Sequence, residues 1–186
     1  TEIWDDVKKL ISKILKKNKL VSKDIISIGI TNQRETTVLW NKKTGKPIYK
    51  AIVWQDRRTA SFCEKLKKKG IHKKIQKITG LEVDPYFSAS KIKWIIDNIK
   101  EAKKNLKNNN LLFGTIDTWL LWNLTQGKSH LTDISNASRT MIFDSQKEKW
   151  SDEILKILKI PKKILPNVVE NAHDFGSTKL FGDSIS

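Results

Sequence analysis

The sequence predicts a mixed α/β fold. An opening stretch repeats apolar side chains at helical spacing, the next alternates isoleucines at strand spacing, and the middle breaks into helices closed by glycine. Between Glu2 and Lys17, Ile3, Val7, Leu10 and Ile14 share one helical face, with Trp4, Ile11 and Leu15 beside them. Ile26, Ile28 and Ile30 then alternate, which predicts a strand. Thr36 to Trp40 is rich in β-formers and predicts a second. Asn41 to Pro47 reads as a turn, and Ile48 to Trp54 resumes an extended pattern.

Thr59 to Lys69 predicts a helix closed by Gly70, and Ile71 to Thr79 a second closed by Gly80, each glycine standing where a left-handed cap is wanted. Ser88 is the expected cap of a helix carrying Ile92, Trp94, Ile95 and Ile99. Thr115 is the expected cap of Ile116 to Thr125, which Gly127 terminates. Leu131 to Phe143 reads as a loop with short extended pieces. Ser151-Asp152-Glu153 opens another helix, with acids in its favourable first turn, and Pro161 stops it. One further strand is expected near Thr178 to Phe181.

The chain has 186 residues, 38% of them hydrophobic and seven of them Trp, enough to build one substantial core. No apolar run approaches the length of a membrane span, and the single cysteine, Cys63, cannot form an internal disulfide. A soluble, cytoplasmic protein is expected. The net charge of +16 raises nucleic acid as a partner. Its make-up argues against specific binding: only four of the 36 basic residues are Arg, and the Lys run in surface-like clusters such as Lys67-Lys68-Lys69. Base readout and bidentate phosphate capture favour Arg forks.

Those four Arg are informative because each lies in a segment poor in Lys: Arg34, Arg57, Arg58 and Arg139. A planar five-donor fork is needed there, either for a ligand or to brace a loop. There is no G-x-x-x-x-G-K-[ST] or G-x-G-x-x-G phosphate loop. His72, His130 and His173 show no metal spacing with one another or with Cys63, and Cys63 itself sits beside Phe62 and Leu66 as a packing residue.

The types that remain suit a polyol. Arg34 and Glu35 offer a donor fork beside a carboxylate acceptor, which a vicinal diol requires because each hydroxyl both donates and accepts. Neighbours on an extended segment face opposite ways, so the two can serve one ligand only if the chain turns there. A surface ion pair is the equal alternative. Trp54 offers a flat apolar wall or an ordinary core residue; Tyr86, in Asp84-Pro85-Tyr86-Phe87-Ser88, a phenol for a ligand or for anchoring its loop.

Five stretches in order, Gly29 to Thr37, Ala51 to Thr59, Thr79 to Leu81 with Asp84 to Ser88, Leu112 to Leu120, and Thr132-Asp133 with Asn136 to Thr140, resemble the FGGY family of carbohydrate kinases. Tyr86 to Asn98 fits the family signature, with Ser88, Lys91, Trp94, Asp97 and Asn98 at the expected spacing. Asn32 to Thr36 and Asp84 to Ser88 resemble the branch that phosphorylates glycerol rather than xylulose or gluconate. The resemblance runs over essentially the whole chain.

It implies the ribonuclease-H-like (actin-like ATPase) N-terminal domain of these kinases, a mixed sheet with packed helices. Residues 1–186 would be part of that domain, truncated at both ends, with the C-terminal nucleotide-binding domain absent. The implied reaction moves the γ-phosphoryl group of ATP to glycerol, giving glycerol 3-phosphate, with Mg²⁺ supporting the phosphates, in a cytoplasmic homo-oligomer. Arg34 and Glu35 would hold the glycerol hydroxyls, Trp54 would pack on its carbons, and Tyr86 would bond a hydroxyl. No catalytic, nucleotide-binding or metal-binding residue is expected within the chain. The family's Asp-rich phosphate loop is not in it, and its Gly-Asp-Gln base is expected beyond Ser186. Asp183 does not substitute, being followed by Ser184-Ile185. The chain alone is therefore expected to be inactive. The alternative is a non-catalytic polyol-binding module derived from a kinase.

Overall fold

The computed structural model describes residues 2–182 and 185, so the expectations attached to Asp183, Ser184 and Ser186 lie outside the described residues. Its organising element is a short ribbon. Strand β1 (Val38–Asn41) pairs antiparallel with β2 (Leu111–Gly114), in a register that sets Leu39 against Phe113 and Trp40 against Leu112. Bridges Thr37–Ile52 and Trp40–Pro47 add the returning 47–52 segment along β1.

Because side chains alternate along a strand, the ribbon divides two cores. Leu39, Leu111 and Phe113 belong to the larger one, with Ile75 of α3 (Ile71–Thr79), Ile92 and Ile95 of α4 (Ser88–Asn98), and Ile154 and Leu158 of α8 (Asp152–Leu158). Val38, Trp40 and Leu112 belong to the smaller, beneath Trp119, Leu120 and Trp122 of α6 (Ile116–Leu124). Trp4 and Val7 of α1 (Glu2–Lys17) pack against that second core. Gly114 ends β2 where a Cβ would stand 2.6 Å from Thr118 Cβ and 3.0 Å from Trp40 Cη2, so glycine lets α6 lie this close to the ribbon.

The remaining elements are α2 (Ala60–Lys68), α5 (Lys100–Lys107), β3 (Leu131–Asp133), α7 (Ile134–Ala137), the small β4 (Phe143–Asp144) and β5 (Lys149–Trp150) hairpin, and β6 (Asn167–Val169). Strand β6 lies parallel to β3. Gly70 and Gly80 both adopt φ 73°, as their expected role at helix ends requires. Ser151 caps α8, its hydroxyl accepting from the Ile154 amide at 3.3 Å.

Several expectations are corrected. Residues 26–31 form no strand, since their backbone makes no ladder to any described segment, and Ile26 is 92% exposed. The alternating pattern encodes two faces but cannot supply a partner. Ser88 is the first residue of α4, not its cap: Phe87 occupies the cap position, and the Ser88 hydroxyl is buried without a hydrogen bond. Thr115 does hold the cap position of α6, but its hydroxyl bonds the Asp117 carboxylate instead of a backbone amide. The expected strand near Thr178 to Phe181 reduces to one bridge, Thr178–Ile185.

Candidate functional site

The chain turns at Arg34 and Glu35. The Thr36 amide donates to the Gln33 carbonyl at 3.1 Å, and the Thr36 hydroxyl donates to the Gln33 side-chain carbonyl at 3.0 Å. The turn meets the condition under which two neighbouring residues can escape opposite faces. Its two central residues end in different surroundings. Glu35 is buried, 5% exposed, whereas Arg34 is exposed and makes no hydrogen bond or ion pair to any described residue. Just upstream, Asn32 donates to Asp117 Oδ1 at 2.9 Å, and Thr132 donates to Oδ2 at 3.0 Å. Burial pushes the Asp117 carboxyl above its ordinary range, against the pull of its hydroxyl donors. That knot moors the start of the turn to α6.

Tyr86 arrives on its own moored loop. Asp84 Oδ1 accepts the Tyr86 amide at 2.8 Å and Arg57 Nη1 at 2.9 Å. Trp54 meets Tyr86 edge-on, with ring centroids 5.7 Å apart and planes at 61°. Trp54 is 37% exposed, which rules out the ordinary core role left open for it. The 54–58 segment is held by Arg58, which grips Asp56 with Nε at 2.9 Å and Nη2 at 2.7 Å and lies 4.6 Å over the Trp94 ring. That fork holds the Asp56 carboxyl below its ordinary range.

Two cations join Glu35 to Tyr86. Arg139, in the turn after α7, donates from Nε to Glu35 Oε1 at 2.8 Å, and its guanidinium lies 5.7 Å from the Tyr86 centroid and 5.1 Å from that of Phe87. Lys91 of α4 is 0% exposed, and its ammonium donates to the backbone carbonyls of both Glu35, at 3.0 Å, and Tyr86. Burial pushes the Lys91 amine down to about 8, opposed by the nearby Glu35 carboxylate.

The structure thus brings Glu35, Trp54 and Tyr86 into one connected group through Arg139 and leaves the Arg34 side chain exposed beside it, with no hydrogen bond or ion pair to the other three. Of the four Arg, Arg57, Arg58 and Arg139 brace loops; Arg34 alone has its fork free among the described residues. Lys91 and Arg139 belong to the arrangement although only the family signature and the rarity of Arg pointed to them. The group offers carboxylate, phenol and indole surfaces suited to a small hydroxylated molecule. Cys63 is no nucleophile here: it is buried, and burial pushes its thiol up to about 11. A cavity of about 560 Å³ lies elsewhere, lined by Ile28, Ile30, Asp117, Leu121 and the 171–178 segment, and includes none of the four expected residues.

Residues 1–181 match the family described as FGGY family of carbohydrate kinases, N-terminal domain. The chain belongs to that family. Over 186 residues it is 53% identical to a glycerol kinase of Caldanaerobacter subterraneus subsp. tengcongensis, covering 99% of this chain and 37% of the relative. Glycerol kinase 2 of Thermotoga maritima is 51% identical, with 99% and 38% covered. The crystal structure of Plasmodium falciparum glycerol kinase with ADP superposes with a TM-score of 0.92 at 36% identity, covering 100% of this chain and 38% of that one. A gluconate kinase from Lactobacillus acidophilus, TM-score 0.82 and 22% identity over 96% of this chain and 34% of its own, shares the fold. The chain therefore has the expected fold, the actin-like N-terminal domain of FGGY kinases, and spans a little over a third of the length of these relatives.

Proposed function

We propose that the full-length protein is a glycerol kinase, transferring the γ-phosphoryl group of ATP to glycerol, and that this chain supplies part of the glycerol site. One observation supports it above the others. The residues that the family resemblance assigns to glycerol stand on separate loops, 33–36, 53–56 and 84–88, yet Arg139 joins Glu35 to Tyr86, and Trp54 lies edge-on against the Tyr86 ring. In this reading the Glu35 carboxylate accepts from one hydroxyl and the free Arg34 fork donates to another. Trp54 packs on the carbon–hydrogen face, and Tyr86 bonds a third polar atom. Such a site rejects analogues lacking a hydroxyl, since its polar groups would go unpaired.

Catalysis in this proposal rests on positioning and electrostatic stabilisation, with closure against the rest of the protein. ATP enters as co-substrate. Among the described residues no three His, Cys, Asp or Glu side chains gather as a metal site. Mg²⁺, which one or two carboxylates together with nucleotide phosphates suffice to hold, would enter with ATP and support its phosphates. A cytoplasmic homo-oligomer is part of the same proposal; among the described residues no helix is long and apolar enough to cross a membrane.

The test is steady-state phosphorylation of glycerol by the full-length protein and its Glu35→Gln variant. Loss of a charged acceptor should raise the glycerol KM by about 10- to 100-fold and leave the ATP KM unchanged. Binding of glycerol without turnover would instead indicate a polyol-binding module. An unchanged glycerol KM would remove Glu35 from the site.

A further inference from the structure

We infer that Arg139 and Lys91 are positioning residues for substrate recognition, a two-cation clamp that holds Glu35 and Tyr86 in one arrangement. The inference rests on the glycerol reading above and adds residues that the reading does not assign. Glu35 and Tyr86 lie on loops separated by fifty residues of chain, and neither bonds the other directly. Both are tied instead to the same two cations. Lys91 acts on their main chains, donating to the carbonyls of Glu35 and Tyr86 from inside the core. Arg139 acts on their side chains, fixing one carboxylate oxygen at 2.8 Å while its guanidinium lies 5.7 Å from the phenol ring centroid.

The division of labour has a physical reason. The ion pair fixes where the carboxylate sits, and because only Oε1 of Glu35 is engaged by Arg139, Oε2 is left to accept from a ligand hydroxyl. A carboxylate free to rotate would lose that aim, and recognition depends on sub-ångström placement. Arg suits the position because one planar group can donate and stack at once, which an ammonium cannot do.

The experiment compares Arg139→Gln, Arg139→Lys and Lys91→Met in the full-length protein, with Glu35→Gln as the reference. Arg139→Gln is expected to raise the glycerol KM by about tenfold or more with the ATP KM little changed, and to lower the melting temperature because the buried Glu35 carboxylate loses its counter-charge. Arg139→Lys should recover part of that loss, because charge returns but the planar stack does not. If Arg139→Gln fails to fold, Arg139→Lys decides: a raised glycerol KM at unchanged ATP KM supports the clamp. Lys91→Met should raise the glycerol KM in the same selective way. Variants that lower only folded yield or kcat, at wild-type glycerol KM, would overturn the clamp while a raised KM in Glu35→Gln keeps the glycerol reading. If Glu35→Gln also leaves the KM unchanged, the reading falls and the clamp with it.

Discussion

A buried lysine without a carboxylate partner should leave a signature in stability against pH. Lys91 is 0% exposed, and its hydrogen bonds run to two carbonyls, not to an acid. Its amine titrates at about 8 in the folded chain against 10.5 as a free side chain. Between those values the unfolded chain holds a proton that the folded chain has released, so stability rises with pH from about 8 to 10.5 and is lost as pH falls back through 8. The gap corresponds to about 3 kcal/mol. The neutral amine keeps two N–H donors for the two carbonyls, so the bonds survive deprotonation. Urea unfolding of wild type and Lys91→Met, followed by tryptophan fluorescence from pH 7 to 10.5, isolates the contribution, because every other lysine is common to both. Wild type should gain about 3 kcal/mol on the variant across the window. A difference that stays flat with pH would refute the claim that burial lowers the Lys91 amine in the folded chain.

Two further outcomes are expected. Burial pushes His130 down to about 4 from 6.5, while its Nε2 bonds the Phe113 carbonyl at 2.9 Å between Trp40 and Trp122. Stability should therefore fall as pH drops from 6.5 to 4, by about 2 kcal/mol after allowing for partial exposure, and His130→Gln should flatten that slope in acid unfolding curves. Gly114→Ala would place its Cβ 2.6 Å from Thr118 Cβ, so overpacking of about 1–3 kcal/mol should appear as a lower melting temperature.

Local chemistry was legible in the sequence wherever one residue type forces one conformation. Gly70 and Gly80 end their helices in the left-handed region, Ser151 caps α8, and α1 spans Glu2–Lys17 as its apolar spacing demands. The helix α5 and strand β2 were not legible. The first is strongly polar over Lys100–Lys107, and the second is a four-residue apolar run that matches a helix segment equally well. The alternation of Ile26, Ile28 and Ile30 was genuine but insufficient, because a ladder needs a second strand that the pattern does not contain.

For the site, the sequence by itself determined the set of chemical groups: a rare Arg beside a Glu, a Trp ending an extended stretch, and a Tyr held by Asp84 and Pro85. The family resemblance assigned them a common ligand. Only the tertiary structure decided which of them meet. Glu35 and Arg139 are 104 positions apart, and nothing in their local sequence states that one will neutralise the other. The reason is that propensity and periodicity act over a few residues. Pairing a buried charge is instead decided by which loops the packed core brings together, and here the core sets Arg139 and Lys91 between the loops of Glu35 and Tyr86 while leaving Arg34 in solvent.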